Sequence, residues 1–204
     1  MILFRIDLLF LKNDVYTYME QRIIGLSGAM GAGKGTVAHY LVDAYGFSKF
    51  RMSDVFRDIL KRIHLEQTRE NVSLVSKIIR ESFGQDILSR IIAEDAKNAM
   101  SDVVVDGIRR EKDIVHLKKN KNFFLIFIDV DPRLRYERLV KRAENIGDER
   151  KTFEEFLKEQ QLEAEARVEN LRPLSDCVIK NDGDLIKLYN EIDTYIKKIK
   201  AMSL

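Results

Sequence analysis

The sequence predicts a three-layer α/β fold, a five-stranded parallel sheet with helices on both faces, and three observations lead there. Short apolar runs alternate with amphipathic helical stretches, the pattern of parallel strands joined by right-handed crossovers. The stretch Gly28-Ala29-Met30-Gly31-Ala32-Gly33-Lys34-Gly35-Thr36 stands between an apolar run and a helical pattern. That strand, loop and helix setting is the one a phosphate-binding loop, a Walker A sequence, requires. Finally, 204 residues with 45% hydrophobic and 33% charged side chains suffice for one domain with a sizeable core.

The elements follow in order. Ile23-Ile24-Gly25-Leu26 is the first strand, and a helix from near Lys34 runs to about Ala44, stopped by Tyr45-Gly46. Residues 47–52 alternate as a second strand, and Ser53 stands as cap to a helix over 54–60. Helices over 74–83 and 87–100 flank Gly84-Gln85-Asp86. Residues 54–100 are therefore wholly helical and longer than a crossover needs, which marks an inserted acceptor-binding region. Val103-Val104-Val105-Asp106-Gly107 is a buried third strand ending in a carboxylate, and a helix over 111–119 leads to a fourth strand over 123–129. Asp131-Pro132 opens a helix carrying Arg133, Arg135, Arg138 and Arg142. A polar break over 144–150 precedes the capping box that starts at Thr152, and the long helix after it ends near Pro173. Cys177-Val178-Ile179 is the fifth strand, Asn181-Asp182-Gly183 a turn, and 185–199 the closing amphipathic helix.

Residues 1–18 read as an N-terminal extension (a strand, a helix or an upstream start) to a domain spanning 19–204. Arg5 and Asp7 interrupt its short apolar run, which suits neither a spanning helix nor a signal peptide. A net charge of +2 gives no bulk pull toward nucleic acid, so neither nucleic acid nor membrane is an expected partner. The single cysteine, Cys177, excludes an internal disulfide, suits a small apolar filler and fits a cytoplasmic location. His39, His64 and His116 show no ligand spacing.

Glycines 28, 31 and 33 let the loop turn tightly and bring N–H groups to an anion, and the helix after them adds its positive dipole end. Lys34 can reach β- and γ-phosphates. Gly35 stands between the Lys and the Thr, leaving room for a phosphate chain, and the Thr36 hydroxyl is placed to hold Mg²⁺. Asp106 suits either a magnesium ligand, direct or through water, or a strand-end turn. Arg57 and Arg109 fall at the carboxyl ends of strands, where open α/β sheets bind ligands, and each is either a fork for an acceptor phosphate or a solvated surface arginine. Arg138 and Arg142 are i and i+4 on one helix face, either closing over donor phosphates or forming an exposed stripe with Glu137 and Glu144.

The chain resembles the nucleoside monophosphate kinases of the adenylate kinase type, in particular their compact relatives in archaea and some bacteria. The motifs are GAMGAGKGT at 28–36, MSDVFRDIL at 52–60, VVVDGIRR at 103–110, DVDPRLRYERLVKR at 129–142 and DCVIKNDGDL at 176–185. The resemblance implies a P-loop kinase fold and transfer of the γ-phosphoryl of ATP, with Mg²⁺, to a nucleoside or deoxynucleoside monophosphate. It implies ATP on Gly28, Met30, Gly31, Ala32, Gly33, Lys34, Gly35 and Thr36, and acceptor phosphate on Arg57 and Arg109, with Asp54 beside them. It gives the migrating charge to Arg138 and Arg142, under a short lid over 143–151 to which Arg150 and Arg167 also belong. The family's Asp-Gly-Phe-Pro-Arg-Thr is Asp106-Gly107-Ile108-Arg109-Arg110 here, and Asp113 stands about where its adenine-reading glutamine falls. Phosphoryl transfer is thus better supported than adenine as the acceptor base.

Two other readings stay open. A dephospho-coenzyme A kinase-like protein shares the loop and the closing Asp-x-Val-Ile-x-Asn-x-Gly pattern; its hydroxyl acceptor needs a base, and Asp54 stands where one would act. A nucleotide-binding assembly factor on the same fold is the other. A GTPase switch is disfavoured because the sequence has no Asn-Lys-x-Asp.

Overall fold

The computed structural model describes residues 21–142, 151–160 and 167–202. The extension over 1–18, lid residues 143–150 with Arg150, and the side chain of Arg142 lie outside the described residues.

Strands β1 (Ile23–Ser27), β2 (Ser48–Arg51), β3 (Val103–Asp106), β4 (Phe123–Asp129) and β5 (Cys177–Lys180) form one parallel sheet in the order β2-β3-β1-β4-β5. Alternate side chains of each strand point to opposite faces. Ile24, Leu26, Val104, Ile126, Ile128 and Ile179 pack on one face, against helices α1 (Lys34–Tyr45) and α7 (Leu185–Met202). Ile23, Val103, Val105, Leu125 and Phe127 pack on the other, against α2 (Asp54–Arg62) and α4 (Ile87–Lys97). Burial on both faces explains why β1, β3 and β4 read as continuous apolar runs. Each fully buried Val, Leu, Ile or Phe in these layers contributes ~1.5–3 kcal/mol.

The remaining helices are α3 (Arg69–Phe83), α5 (Pro132–Arg142) and α6 (Phe153–Gln160). The expected stops and starts hold at several places. Gly46 ends α1 in the left-handed region at φ 73°, Asp131 accepts from the Arg133 N–H at 2.8 Å, and Thr152 and Glu155 form their reciprocal box.

Other expectations are corrected. Ser53 holds the cap position of α2 in right-handed helical geometry and makes no side-chain cap bond. Helix α3 begins at Arg69, because the Thr68 hydroxyl caps it by accepting from Asn71 N–H at 3.2 Å. The helix expected over 111–119 is two short 3₁₀ turns, Glu111–Asp113 and Leu117–Lys119. Asp113 turns inward and bonds to the backbone behind it, while the Ser89 hydroxyl accepts from His116 N–H, so neither segment propagates an α-helix. Pro173 lies inside a 3₁₀ turn, Glu169–Leu174, rather than ending an α-helix.

Candidate active site

The site begins where β1 runs out. Gly28, Gly31 and Gly33 adopt φ of 139°, 79° and 96°, a region that favours glycine. Neighbours fill the space that side chains would need. A Cβ on Gly28 would collide with the Ile128 carbonyl, one on Gly31 would lie 3.1 Å from the Arg135 carbonyl, and one on Gly33 would lie 2.5 Å from Asn181 Nδ2. Gly35 is the exception, facing open space.

Helix α1 starts at Lys34 with no side-chain cap, so its leading N–H groups and positive dipole end suit an anion. Lys34 Nζ donates to the Gly28 carbonyl at 2.7 Å and to the Ala29 carbonyl at 2.9 Å, which lays the ammonium across the loop. Thr36 follows in the first turn of the same helix.

β3 is the immediate neighbour of β1, with Gly25 opposite Val105, so Asp106 ends beside the strand that feeds the loop. Its buried carboxylate has an ion pair with Arg51 Nε at 3.9 Å, too long for a hydrogen bond. Beyond it, Ile108 is tied back toward the loop. The Ser27 hydroxyl donates to the Ile108 carbonyl at 3.1 Å, and the space over Gly25 is taken by the Ile108 side chain. Arg109 follows directly and is exposed.

Two residues that the motifs did not assign hold the far side of the loop. Asn181, buried at the carboxyl end of β5, donates from Nδ2 to the Ala32 carbonyl at 2.9 Å, and its own carbonyl accepts from Arg138 Nη2 at 2.8 Å. Arg138 is therefore fixed against the loop through one intermediary, and its Nη1 is buried without a hydrogen-bond partner. Arg135 is buried, donates to the Val130 and Met30 carbonyls at 3.3 and 3.4 Å, and lies over the ring of Phe156. Asn181 reads in the sequence only as part of a turn; its place just past a strand, where this class of sheet builds its sites, is a signal too general to mark it out. Nothing in the sequence separated Arg135 from the arginines around it.

The other expected residues engage their own neighbourhood. Arg57 Nη1 donates to the Gln67 carbonyl at 3.5 Å, and its Nε lies 3.9 Å from exposed Asp54. Arg167 is exposed. Asp113 does not face an acceptor: it is buried and occupied by the Arg80 guanidinium and two backbone N–H groups. Half-buried Cys177 has its thiol pushed up by desolvation, as a packing residue rather than a nucleophile would. A cavity of about 670 Å³ between β5 and α7 includes no loop residue in its lining.

A family model described as "AAA domain" matches residues 27–156, more than half of the chain. The chain is 32% identical over 183 residues to a UPF0200 protein of Pyrococcus abyssi, covering 87% of this chain and 96% of that one. Among solved structures it shares its fold with shikimate kinase from Bacteroides thetaiotaomicron, with a TM-score of 0.57 at 15% identity over 88% of this chain and 98% of that one. A gluconokinase from Sinorhizobium meliloti is similar at a TM-score of 0.53 and 14% identity, covering 85% and 89% of the two chains.

Proposed function

We propose that this chain, which belongs to the AAA domain family and to the UPF0200 proteins, is an ATP-dependent small-molecule kinase whose acceptor is a nucleoside or deoxynucleoside monophosphate. The observation that carries this reading is the loop itself: three glycines at positive φ around an uncapped helix start, with the Lys34 ammonium laid across it. Phosphoryl transfer is mostly positioning and charge neutralisation. An acceptor phosphate oxygen attacks the γ-phosphorus, the bond to the β,γ-bridging oxygen breaks, and ADP leaves. The loop amides and Lys34 hold the donor phosphates, Arg138 and Arg142 neutralise charge on the migrating group, and Arg57 and Arg109 hold the acceptor phosphate.

Mg²⁺ fits the residues present, since Asp106 is a buried carboxylate whose ion pair with Arg51 is long, at 3.9 Å, and Thr36 offers a hydroxyl in the first turn of α1. Such an ion usually takes one or two carboxylates together with substrate phosphates. Bound there, it would neutralise phosphate charge. The 54–100 helices would form the acceptor side of the site and 143–151 its lid. Coupled assays of ATP–Mg²⁺ with AMP, CMP, UMP, GMP and dTMP test this; turnover of ~10 s⁻¹ with one of them is the expected result, and none with any would overturn it.

A hydroxyl acceptor is the second reading, favoured by the exposed Asp54 carboxylate at the start of α2 and by fold neighbours named for shikimate and gluconate. An attacking hydroxyl has a proton to lose and a monophosphate has none. Asp54→Asn should therefore leave most of kcat if the acceptor is a monophosphate, whereas a loss above ~10²-fold would favour the hydroxyl.

A further inference from the structure

Arg80, near the end of α3, and Asp113, in the first 3₁₀ turn after β3, are both under a tenth exposed and meet at 2.8 Å. The remaining contacts of the pair are specific. Asp113 Oδ1 takes Arg80 Nη2, while Oδ2 accepts both the Arg109 and the Arg110 backbone N–H at 3.1 Å. On the other side, Arg80 Nη1 donates to the Gln85 carbonyl at 2.6 Å. One carboxylate thus joins the corner between α3 and α4 to the backbone of Arg109. The same short loop is fastened at its other end, where the Ser27 hydroxyl donates to the Ile108 carbonyl one residue before the phosphate loop starts.

A buried ion pair is a poor means of stabilising a fold, because desolvating both charges offsets much of their attraction, and apolar replacements of similar volume are often as stable. Its worth here is directional. Two adjacent N–H groups converging on one oxygen fix the path of the chain at Arg109, and hence the origin of its side chain.

We propose that Asp113 and Arg80 are positioning residues that present Arg109 to the acceptor's phosphate, so that a position where the resembling kinases carry a base-reading glutamine serves instead to aim a cation. This rests on Arg109 holding the acceptor. It also places base recognition elsewhere than on Asp113, because its carboxylate is taken by three donors of the protein itself.

The test is a set of KM values. Arg80→Met with Asp113→Leu removes both charges together, and Asp113→Asn removes one while keeping volume. Steady-state assays use ATP–Mg²⁺ and whichever of AMP, CMP, UMP, GMP or dTMP the unsubstituted enzyme turns over fastest. Both variants should raise the acceptor KM by ~10- to 100-fold, the scale of an ångström of misplacement, with the ATP KM within ~2-fold, as for contacts confined to one substrate. Amide exchange at Arg109 and Arg110 should accelerate. A variant that is merely destabilised loses active enzyme and so lowers the maximal rate, leaving both KM values in place. Faster exchange at 109–110 with an unchanged acceptor KM overturns the proposal, and so does unchanged exchange. Arg109→Ala separates the two layers. If it leaves the acceptor KM alone, or no monophosphate is turned over, the acceptor role of Arg109 falls and the positioning role with it. If it raises that KM and the pair variants do not, only the positioning role falls.

Discussion

Lys34 opens α1 and lays its ammonium over two loop carbonyls. Removing one preorganised donor to developing charge typically costs ~3–4 kcal/mol in the transition state. Lys34→Ala should therefore slow turnover ~10²–10³-fold while a thermal melt stays close to that of the unsubstituted protein; near-normal turnover would exclude the role. Gly33 makes a different demand. At φ 96°, and with Asn181 Nδ2 2.5 Å from where its Cβ would be, Gly33→Ala incurs both backbone strain and a clash. Left-handed strain at a non-glycine residue costs ~1–3 kcal/mol, and the clash should also displace the bond from Asn181 to the Ala32 carbonyl. Asn181→Ala removes the clashing atom, so the double variant should lose less stability than the two single losses added together. Urea denaturation of the four proteins gives the coupling, and strict additivity would mean that the two residues do not press on one another.

Between elements, the join of α1 to α7 is polar as well as apolar. The hydroxyls of Tyr40 and Tyr45 donate to Asp193 Oδ1 at 2.6 and 2.7 Å, and Tyr40 stacks on Tyr189 with centroids 4.0 Å apart. The two donated bonds hold the Asp193 carboxyl below its ordinary 3.8. The unfolded chain therefore binds that proton more tightly, so the stabilisation is full above the ordinary value and is lost as pH falls through the depressed one. Burial, then the Asp193 bond, push the Tyr45 hydroxyl from 10.0 up to about 12. Its contribution is full below 10.0 and disappears as pH rises through about 12. Asp193→Asn should be less stable than the unsubstituted protein at neutral pH, and the gap should narrow both as pH falls below the ordinary 3.8 and in strong alkali. Denaturant midpoints across that range check it, and a gap constant with pH would assign the loss to packing. The same scale shows what the sequence could reveal. Strands buried on both faces and helices with strong end signals, as at Gly46, Asp131 and Thr152, were legible because each signal is local. The 111–119 segment was not, since its pattern is helical while the Asp113 and Ser89 bonds that break it come from tertiary neighbours. At the site the loop was fully legible, being contiguous in sequence. Asn181 and Arg135 were not, because their partners Ala32 and Met30 lie 149 and 105 residues away.

For the molecule as a whole, the question is which part closes over two substrates. The sequence points to residues 54–100 as a unit, but the packing divides them. Helix α4 puts Leu88, Ile92 and Ala96 into the core under β3, and α2 adds Phe56, whereas Arg80 is the one buried residue of α3. Leu74 and Ile78 are at least half exposed. The far end of α3 is pinned by Arg80 to Asp113, and its near end is joined to Arg57 through the Gln67 carbonyl. Lids and closing loops come from the least stable parts of a structure. Residues 63–79 should therefore swing about the Arg80 anchor while α4 stays with the sheet. With a bisubstrate analogue that joins adenosine to an acceptor nucleoside through a polyphosphate, amide exchange should slow in 63–79 and remain unchanged in α4, and small-angle scattering should show a more compact particle. Protection spread evenly from 54 to 100 would mean that the whole region moves as one body, and no change in either measurement would mean that the site works without closing.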